Sequence, residues 1–93
     1  MFKITMRAGG IDPAVGHAAA TDIENEFREH RPWHESVTCS FRDGMLTLVG
    51  VNDFDQDGRA LSDEFSDCLS AYIPLDGISD EGVFEVVTVE TVE

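Results

Sequence analysis

Residues 2–7 alternate between apolar and polar side chains. Phe2, Ile4 and Met6 are apolar, and a polar residue follows each of them. A period of two places successive side chains on opposite faces of a strand, so this segment predicts a β-strand with one buried face. The pair Gly9-Gly10 ends it.

The spacing then changes to that of a helix. Four apolar residues recur at every fourth position, namely Val15, Ala19, Ile23 and Phe27. This spacing gives a helix one apolar face. Asp12 and Pro13 stand before it, where an aspartate caps free N–H groups and a proline suits the first helical position. Pro32 is expected to stop the helix.

Residues 36–51 read SVTCSFRDGMLTLVGV and predict a β-hairpin. Asp43-Gly44 suits a two-residue turn with positive φ angles. Pairing Arg42 with Met45 across that turn gathers apolar side chains on one face, namely Val37, Cys39, Phe41, Leu46 and Leu48. A slip of one residue would expose this set, so we expect a firmly fixed register.

The second half of the chain predicts another helix and a last strand. Apolar residues return at helical spacing, namely Leu61, Phe65, Cys68, Leu69, Tyr72 and Ile73. Pro74 and Gly77 are expected to end this helix. Residues 83–93, VFEVVTVETVE, are rich in β-branched valine and predict a strand. Because valines occupy both alternating sets, the pattern leaves open which face is buried.

The predicted order of elements is β-α-β-β-α-β, in a single domain over residues 1–93. The usual solution for this order is an α+β, ferredoxin-like split βαβ sandwich. It has a four-stranded antiparallel sheet with two helices on one face. Many unrelated activities use this architecture, so the fold alone does not indicate a function.

The chain is strongly acidic, with 19 Asp and Glu against 6 Lys and Arg and a net charge of -13. This balance disfavours direct binding to nucleic acid, which needs clustered basic residues. It favours binding of cations or of a basic protein surface. Adaptation to a salty environment is an alternative explanation, and Lys3 as the only lysine fits it.

The hydrophobic pattern does not predict a membrane protein. No apolar run approaches the roughly 20 residues that a membrane span needs. The first ten residues, MFKITMRAGG, lack the long apolar region of a secretion signal. We therefore expect a cytoplasmic protein that has no membrane partner.

The segment from Asp53 to Glu64 follows the pattern D-x-D-x-D-G-x5-E. Over these 12 residues the chain resembles the calcium loop of EF-hands, in which closely spaced oxygens surround the ion. The resemblance implies a Ca²⁺ site in which Gly58 makes the sharp turn. The implied ligands are the carboxylates of Asp53, Asp55, Asp57 and Glu64 and the backbone carbonyl of Arg59.

The same segment has a second interpretation, as a turn and helix cap. Asn52, Asp53 and Asp55 are good turn formers, and Asp57 could cap the helix that begins near Gly58. The preceding residues predict a strand where an EF-hand has a helix, and the chain has no second loop of this pattern. The sequence leaves both interpretations open.

Other reactive residue types do not form a catalytic pattern. His30 and His34 are four apart, but Pro32 between them should break the helix. Cys39 and Cys68 lack zinc spacing, and we expect both to point inward, with their pairing left open. A thiol on an apolar strand face in an acidic protein is inert. We therefore predict that the chain is not an enzyme.

Trp33, in HRPWH, is expected to pack over the end of the first helix. The alternative is an exposed tryptophan that acts as a contact hot spot.

The sequence supports two hypotheses about the function of this chain. The first is a non-enzymatic binding module that engages a basic protein through acidic residues of both helices. These residues are Asp22, Glu24, Glu26, Glu29, Asp63 and Asp67. In size and charge the chain looks like small phage-type inhibitors, including anti-CRISPR proteins, which implies mimicry of nucleic acid and a nucleic-acid-binding protein as partner. The second is a calcium-binding domain that uses the loop from Asp53 to Glu64.

A homodimer is compatible with either function. It would form through the open face of the sheet or through the edge of the last strand. Glu85, Glu90 and Glu93 are placed to guard that edge against unwanted pairing.

Overall fold

The computed structural model describes residues 1–79 and 82–92. The elements are β1 (Phe2–Ala8), α1 (Pro13–His30), β2 (Ser36–Arg42), β3 (Met45–Asn52), α2 (Arg59–Tyr72), a short 3-10 turn (Leu75–Gly77) and β4 (Phe84–Thr91). This sequence of strands and helices confirms the predicted β-α-β-β-α-β order.

The four strands form one antiparallel sheet in the order β2-β3-β1-β4. β3 lies between β1 and β2, so the first β-α-β unit is split by a strand that comes later in the chain. This interleaving is the one expected of the ferredoxin-like sandwich. The predicted α+β fold class is therefore confirmed.

The β2–β3 hairpin has the predicted turn and register. Asp43 and Gly44 have φ angles of 51° and 76°, the positive values that a two-residue turn requires. Arg42 faces Met45 across the turn. The next inward pairs are Phe41 with Leu46, Cys39 with Leu48, and Val37 with Gly50.

Both helices pack on the same face of the sheet. In α1, Gly16 lies against the ring of Phe41, and in α2, Leu61 lies over Gly50. The register pairs Phe41 with Leu46 and Val37 with Gly50. Since Leu46 and Gly50 are four residues apart on β3, they lie on one face, and Phe41 shares that face with Gly50. The largest fully buried apolar side chains are Phe27, Phe65, Ile4, Met6, Ile23, Leu46, Leu48 and Leu61.

The first helix begins and ends where the sequence signals predict. The Asp12 side chain accepts a hydrogen bond from the Ala14 N–H at 2.9 Å, and Pro13 is the first helical residue. The helix ends at His30, two residues before Pro32. Among the described residues, neither helix is long and apolar enough to cross a lipid bilayer.

A β-bulge in β4 decides which of its valines are buried. Val86 faces Met6 and Val89 faces Ile4, so three steps along β4 match two steps along β1. The extra residue, Val87, is half exposed. The bulge brings Val86 and Val89 to the core face, which strict alternation could not have done.

Each edge of the sheet carries a feature that obstructs pairing. At the β2 edge, the Cys39 N–H donates to the Glu24 carboxylate of α1 at 2.9 Å. At the β4 edge, the bulge interrupts the strand, and Glu85 and Glu90 are exposed. Glu93, the third predicted guard, lies outside the described residues. Dimerisation through an edge or through the open face stays a prediction.

The contact between Gly16 and Phe41 can be tested by substitution. A Cβ atom added at Gly16 would overlap the Phe41 ring. We expect Gly16→Ala to lower the free energy of unfolding in urea by about 1–3 kcal/mol through overpacking. This loss should appear even though alanine is the better helix former by about 1 kcal/mol.

The control is the same substitution in a Phe41→Ala background. With the ring removed, Gly16→Ala should be neutral or stabilising by up to about 1 kcal/mol, because only helix propensity remains. An equal loss in both backgrounds would show that Phe41 does not constrain this position.

Candidate functional site

The acidic loop between β3 and α2 is held at its start by Asn52. This side chain is buried, and its Oδ1 atom accepts the backbone N–H of Phe54 at 3.2 Å and of Asp55 at 2.8 Å. Such a side-chain turn reverses the chain at the end of a strand. The first aspartate of the motif, Asp53, lies on this turn and is exposed.

Asp55 caps the second helix. It is only 4% exposed, and its two carboxylate oxygens accept the N–H groups of Ala60 at 3.2 Å and Leu61 at 2.9 Å. Asp57 accepts the Arg59 N–H at 3.0 Å. These groups belong to the first turn of the helix, where N–H groups lack intrahelical partners. Asp57 therefore caps the helix as the turn-and-cap interpretation expects, whereas Asp55, expected only as a turn former, accepts two further N–H groups of the cap.

The backbone conformation and the close packing at position 58 explain why the motif has glycine there, without a bound ion. Gly58 has a φ of 81°, in the left-handed region that favours glycine. A Cβ atom there would lie 3.0 Å from Val86 and 3.3 Å from Ile4. The start of α2 can approach β1 and β4 this closely only without a side chain.

Glu64 lies in a cluster of donors from the segment between α1 and β2. One oxygen, Oε1, is 2.9 Å from His34 Nε2. The other accepts the Trp33 indole N–H at 3.1 Å and a guanidinium N–H of Arg31 at 3.4 Å. The Glu64 side chain is mostly buried, and these three donors replace the water that burial removes from its carboxylate. We call these residues, together with Asn52, the Glu64 cluster.

The hydrogen-bond network fixes the tautomer of His34, whose side chain is 1% exposed. Because Asn52 Oδ1 accepts two backbone N–H groups, the Nδ2 group of Asn52 must be the donor at 3.2 Å to His34 Nδ1. The ring hydrogen is then on Nε2, which donates to Glu64. The imidazole thus connects the end of β3 to α2.

The predicted calcium ligands are not gathered around one point. Among residues 1–79 and 82–92 there is no group of three or more His, Cys, Asp or Glu side chains that could hold a metal ion. Asp55 and Glu64 have both carboxylate oxygens engaged by other donors. The donor set in this arrangement does not fit calcium, which would require Glu64 to leave its partners. Calcium binding stays a prediction.

The six predicted partner-binding residues divide into two groups. Asp22, Glu29, Asp63 and Asp67 are exposed on the helices. The other two are partly buried and already engaged. Glu24 bonds the Cys39 N–H and Arg28, and Glu26 accepts the Tyr72 hydroxyl at 3.2 Å.

Charge is unevenly distributed between the two sides of the molecule. The helices α1 and α2 together carry seven carboxylates, four in the first and three in the second, against one arginine in each. On the outer face of the sheet the register places Lys3, Arg7 and Arg42 with Glu85 and Glu90. The helical side is therefore the strongly negative one.

Two aromatic residues beside the Glu64 cluster are exposed to solvent. The sequence predicts that Trp33 packs over the helix end, but the side chain is 51% exposed. Phe54, from the acidic loop, is 45% exposed. The His34 ring centroid lies 6.1 Å from that of Trp33 and 6.0 Å from that of Phe54. Sequence reasoning missed Phe54, which occupies a non-ligand position of the calcium pattern.

The cysteines and histidines are placed as follows. Cys39 and Cys68 are free thiols, which settles the open question of their pairing. Burial, with a smaller effect of Glu24, raises the pKa of Cys39 to about 12, and burial also raises the pKa of Cys68. Both thiols are therefore poor nucleophiles at neutral pH. His30 is exposed at the end of α1, whereas His34 is buried in the cluster.

No family model, curated protein or solved structure matches this chain. The function must therefore be argued from the chain's own geometry and charge.

The capping role of Asp55 predicts unequal effects of two substitutions within one motif. In the presence of a chelator, Asp55→Ala should lower the free energy of unfolding by about 1–3 kcal/mol. The reason is that the N–H groups of Ala60 and Leu61 lose their acceptor. Urea unfolding followed by circular dichroism measures this change.

Asp53→Ala is the matched control. It removes the same charge from an exposed position, so the free energy of unfolding should change by less than about 0.5 kcal/mol. Equal losses in the two variants would contradict the capping role.

Proposed function

We propose that this chain is a non-enzymatic binding module whose helical side engages a basic protein surface. The observation that carries the proposal is the imbalance of seven carboxylates against two arginines on α1 and α2. Four of these carboxylates, Asp22, Glu29, Asp63 and Asp67, are exposed. A basic partner would relieve the repulsion among them and would be attracted from a distance.

The uneven placement of charge favours recognition over a general adaptation to salt. Three of the six basic residues, Lys3, Arg7 and Arg42, lie on the outer face of the sheet. Only two, Arg28 and Arg59, lie on the helices. An adaptation that only improves solubility does not require the acidic residues to concentrate on one side. The binding should weaken as salt rises, since exposed charges are screened beyond about 8 Å at physiological ionic strength.

Mimicry of nucleic acid is a narrower form of this proposal. The size of the chain and its charge of -13 support it, as in small phage-type inhibitors such as anti-CRISPR proteins. The partner would then be a nucleic-acid-binding protein, whose basic groove the helical side would occupy. The chain itself would not bind nucleic acid, because its acidic surface repels phosphates.

The proposal predicts that the position of the lost charges matters, and not only their number. We expect the triple variant Asp22→Asn, Asp63→Asn, Asp67→Asn to bind a dye-labelled hexa-arginine peptide about tenfold more weakly than the parent. Each exposed charge contact contributes roughly two- to threefold in affinity. Fluorescence anisotropy at low salt measures the affinity.

The matched control neutralises three exposed carboxylates that do not belong to α1 or α2: Asp43→Asn, Asp76→Asn, Glu90→Gln. Both variants have a net charge of -10, three fewer negative charges than the -13 of the parent. The control should lose no more than about twofold, because its charges lie outside the contact. Equal weakening by the two variants would mean that the peptide responds to total charge, and would contradict the proposal.

Calcium binding is the alternative function, and the 12-residue pattern from Asp53 to Glu64 is the observation that favours it. The ion would gather the carboxylates of Asp53, Asp55, Asp57 and Glu64 and the backbone carbonyl of Arg59. Asp55 would have to release the N–H groups of Ala60 and Leu61, and Glu64 would have to leave the donors of its cluster. The role of the ion would be to stabilise the fold. A sensor role is disfavoured because the sequence offers no second loop to open.

Under this alternative, calcium raises the thermal unfolding midpoint of chelator-treated protein more than magnesium does at constant ionic strength. A ligand that binds only the folded state stabilises it by an amount that rises with the logarithm of the ratio of ligand concentration to Kd. Asp53→Ala should abolish the calcium-specific rise, whereas Asp76→Ala, outside the loop, should keep it. Equal small shifts with both ions would indicate screening of the net charge and would exclude the calcium site.

A further inference from the structure

Trp33 and Phe54 form an exposed aromatic pair where two connecting segments leave the sheet side by side. Trp33 belongs to the segment between α1 and β2, and Phe54 to the acidic loop after β3. The Glu35 N–H donates to the Val51 carbonyl at 2.7 Å, which holds the two segments together. The buried ring of His34 packs against both exposed rings, with its centroid 6.1 Å from that of Trp33 and 6.0 Å from that of Phe54.

Both rings of the aromatic pair are held in place. The Trp33 indole N–H donates to Glu64, and the Phe54 ring packs at a tilt against the buried His34 ring, with 6.0 Å between the ring centroids. His34 is fixed by hydrogen bonds at both ring nitrogens. A side chain that is already ordered loses little conformational freedom on binding, so this surface is preorganised for a contact.

The border of the aromatic pair is acidic. Asp53 precedes Phe54 in the loop and Glu35 follows His34 in the other segment, and both are exposed. Arg31, a cation in the same segment as Trp33, is mostly buried against the Phe27 ring and Glu64. An exposed tryptophan face with carboxylates beside it attracts arginine or lysine, since the ring face is electron-rich and the acids balance the charge.

We propose that the aromatic pair Trp33 and Phe54 receives an arginine or lysine side chain of a basic protein. This inference rests on the proposed function and names the point at which the partner's cation is held. A second copy of this chain is a poor occupant, because two molecules of charge -13 repel where both borders are acidic. Exposed tryptophan beside a polar rim is also typical of interface hot spots.

Trp33 is the only tryptophan, so its fluorescence reports on this surface directly. We expect an acetylated and amidated hexa-arginine peptide to change the emission of the parent protein in a saturable way. Phe54→Ala should weaken peptide affinity by about threefold to tenfold, the range of a cation–π contact at a partly exposed site. Calorimetry gives the affinity independently of the fluorescence.

Phe84→Ala is the matched control for this experiment. Phe84 is 45% exposed, the same as Phe54, but it lies at the start of β4 and packs on Phe65. Neither substitution changes the charge, so general attraction to the acidic surface is equal in both variants. The control should bind the peptide as the parent does. Phe54→Leu keeps an apolar side chain but removes the ring, and should lose as much affinity as Phe54→Ala.

The outcomes separate the inference from the proposed function. If calorimetry detects peptide binding but Phe54→Ala binds like Phe84→Ala, the inference is overturned and the proposed function stands. The same holds if binding leaves the Trp33 emission unchanged, or if Phe54→Leu binds like the parent. If the parent does not bind the peptide at low salt, both the inference and the proposed function are overturned.

Discussion

The buried side chain of Asn52 connects three segments that would otherwise be independent. Its carbonyl oxygen holds the turn into the acidic loop, and its amide group donates to His34. His34 in turn contacts Glu64 on α2. A buried amide left without partners costs about 1–3 kcal/mol, so each segment is constrained by the positions of the other two. The placement of α2, the aromatic pair and the loop all depend on this chain of hydrogen bonds.

The carboxylates of this protein serve two different purposes. Asp55 and Glu64 are buried and satisfy donors inside the fold, so they stabilise structure. The exposed carboxylates of the helices have no such role and leave one side of the molecule strongly negative. A motif that reads as a single ion site in the sequence is thus divided between a helix cap, a buried cluster and an exposed surface.

Local patterns in the sequence predict most of the fold. Alternation predicts β1, helical spacing predicts α1 and α2, and the valine-rich composition predicts β4. Asp43-Gly44 fixes the hairpin and its register, because each of these signals lies within a few residues. The burial of β4 could not be predicted, since the bulge at Val87 depends on packing against β1. The Glu64 cluster could not be predicted from the sequence either, because Glu64 bonds to partners about 30 residues earlier in the chain. The exposure of Phe54 depends on that same long-range packing.

The bulge at Val87 and the Glu24 contact with β2 have a consequence for the protein in concentrated solution. A valine-rich terminal strand with a regular edge is a template for cross-β stacking of one chain on the next. Here the extra residue disrupts the spacing of the β4 edge, and a carboxylate occupies a backbone donor of the β2 edge. Both ends of the sheet therefore resist fibril growth, although the sequence of β4 by itself favours it.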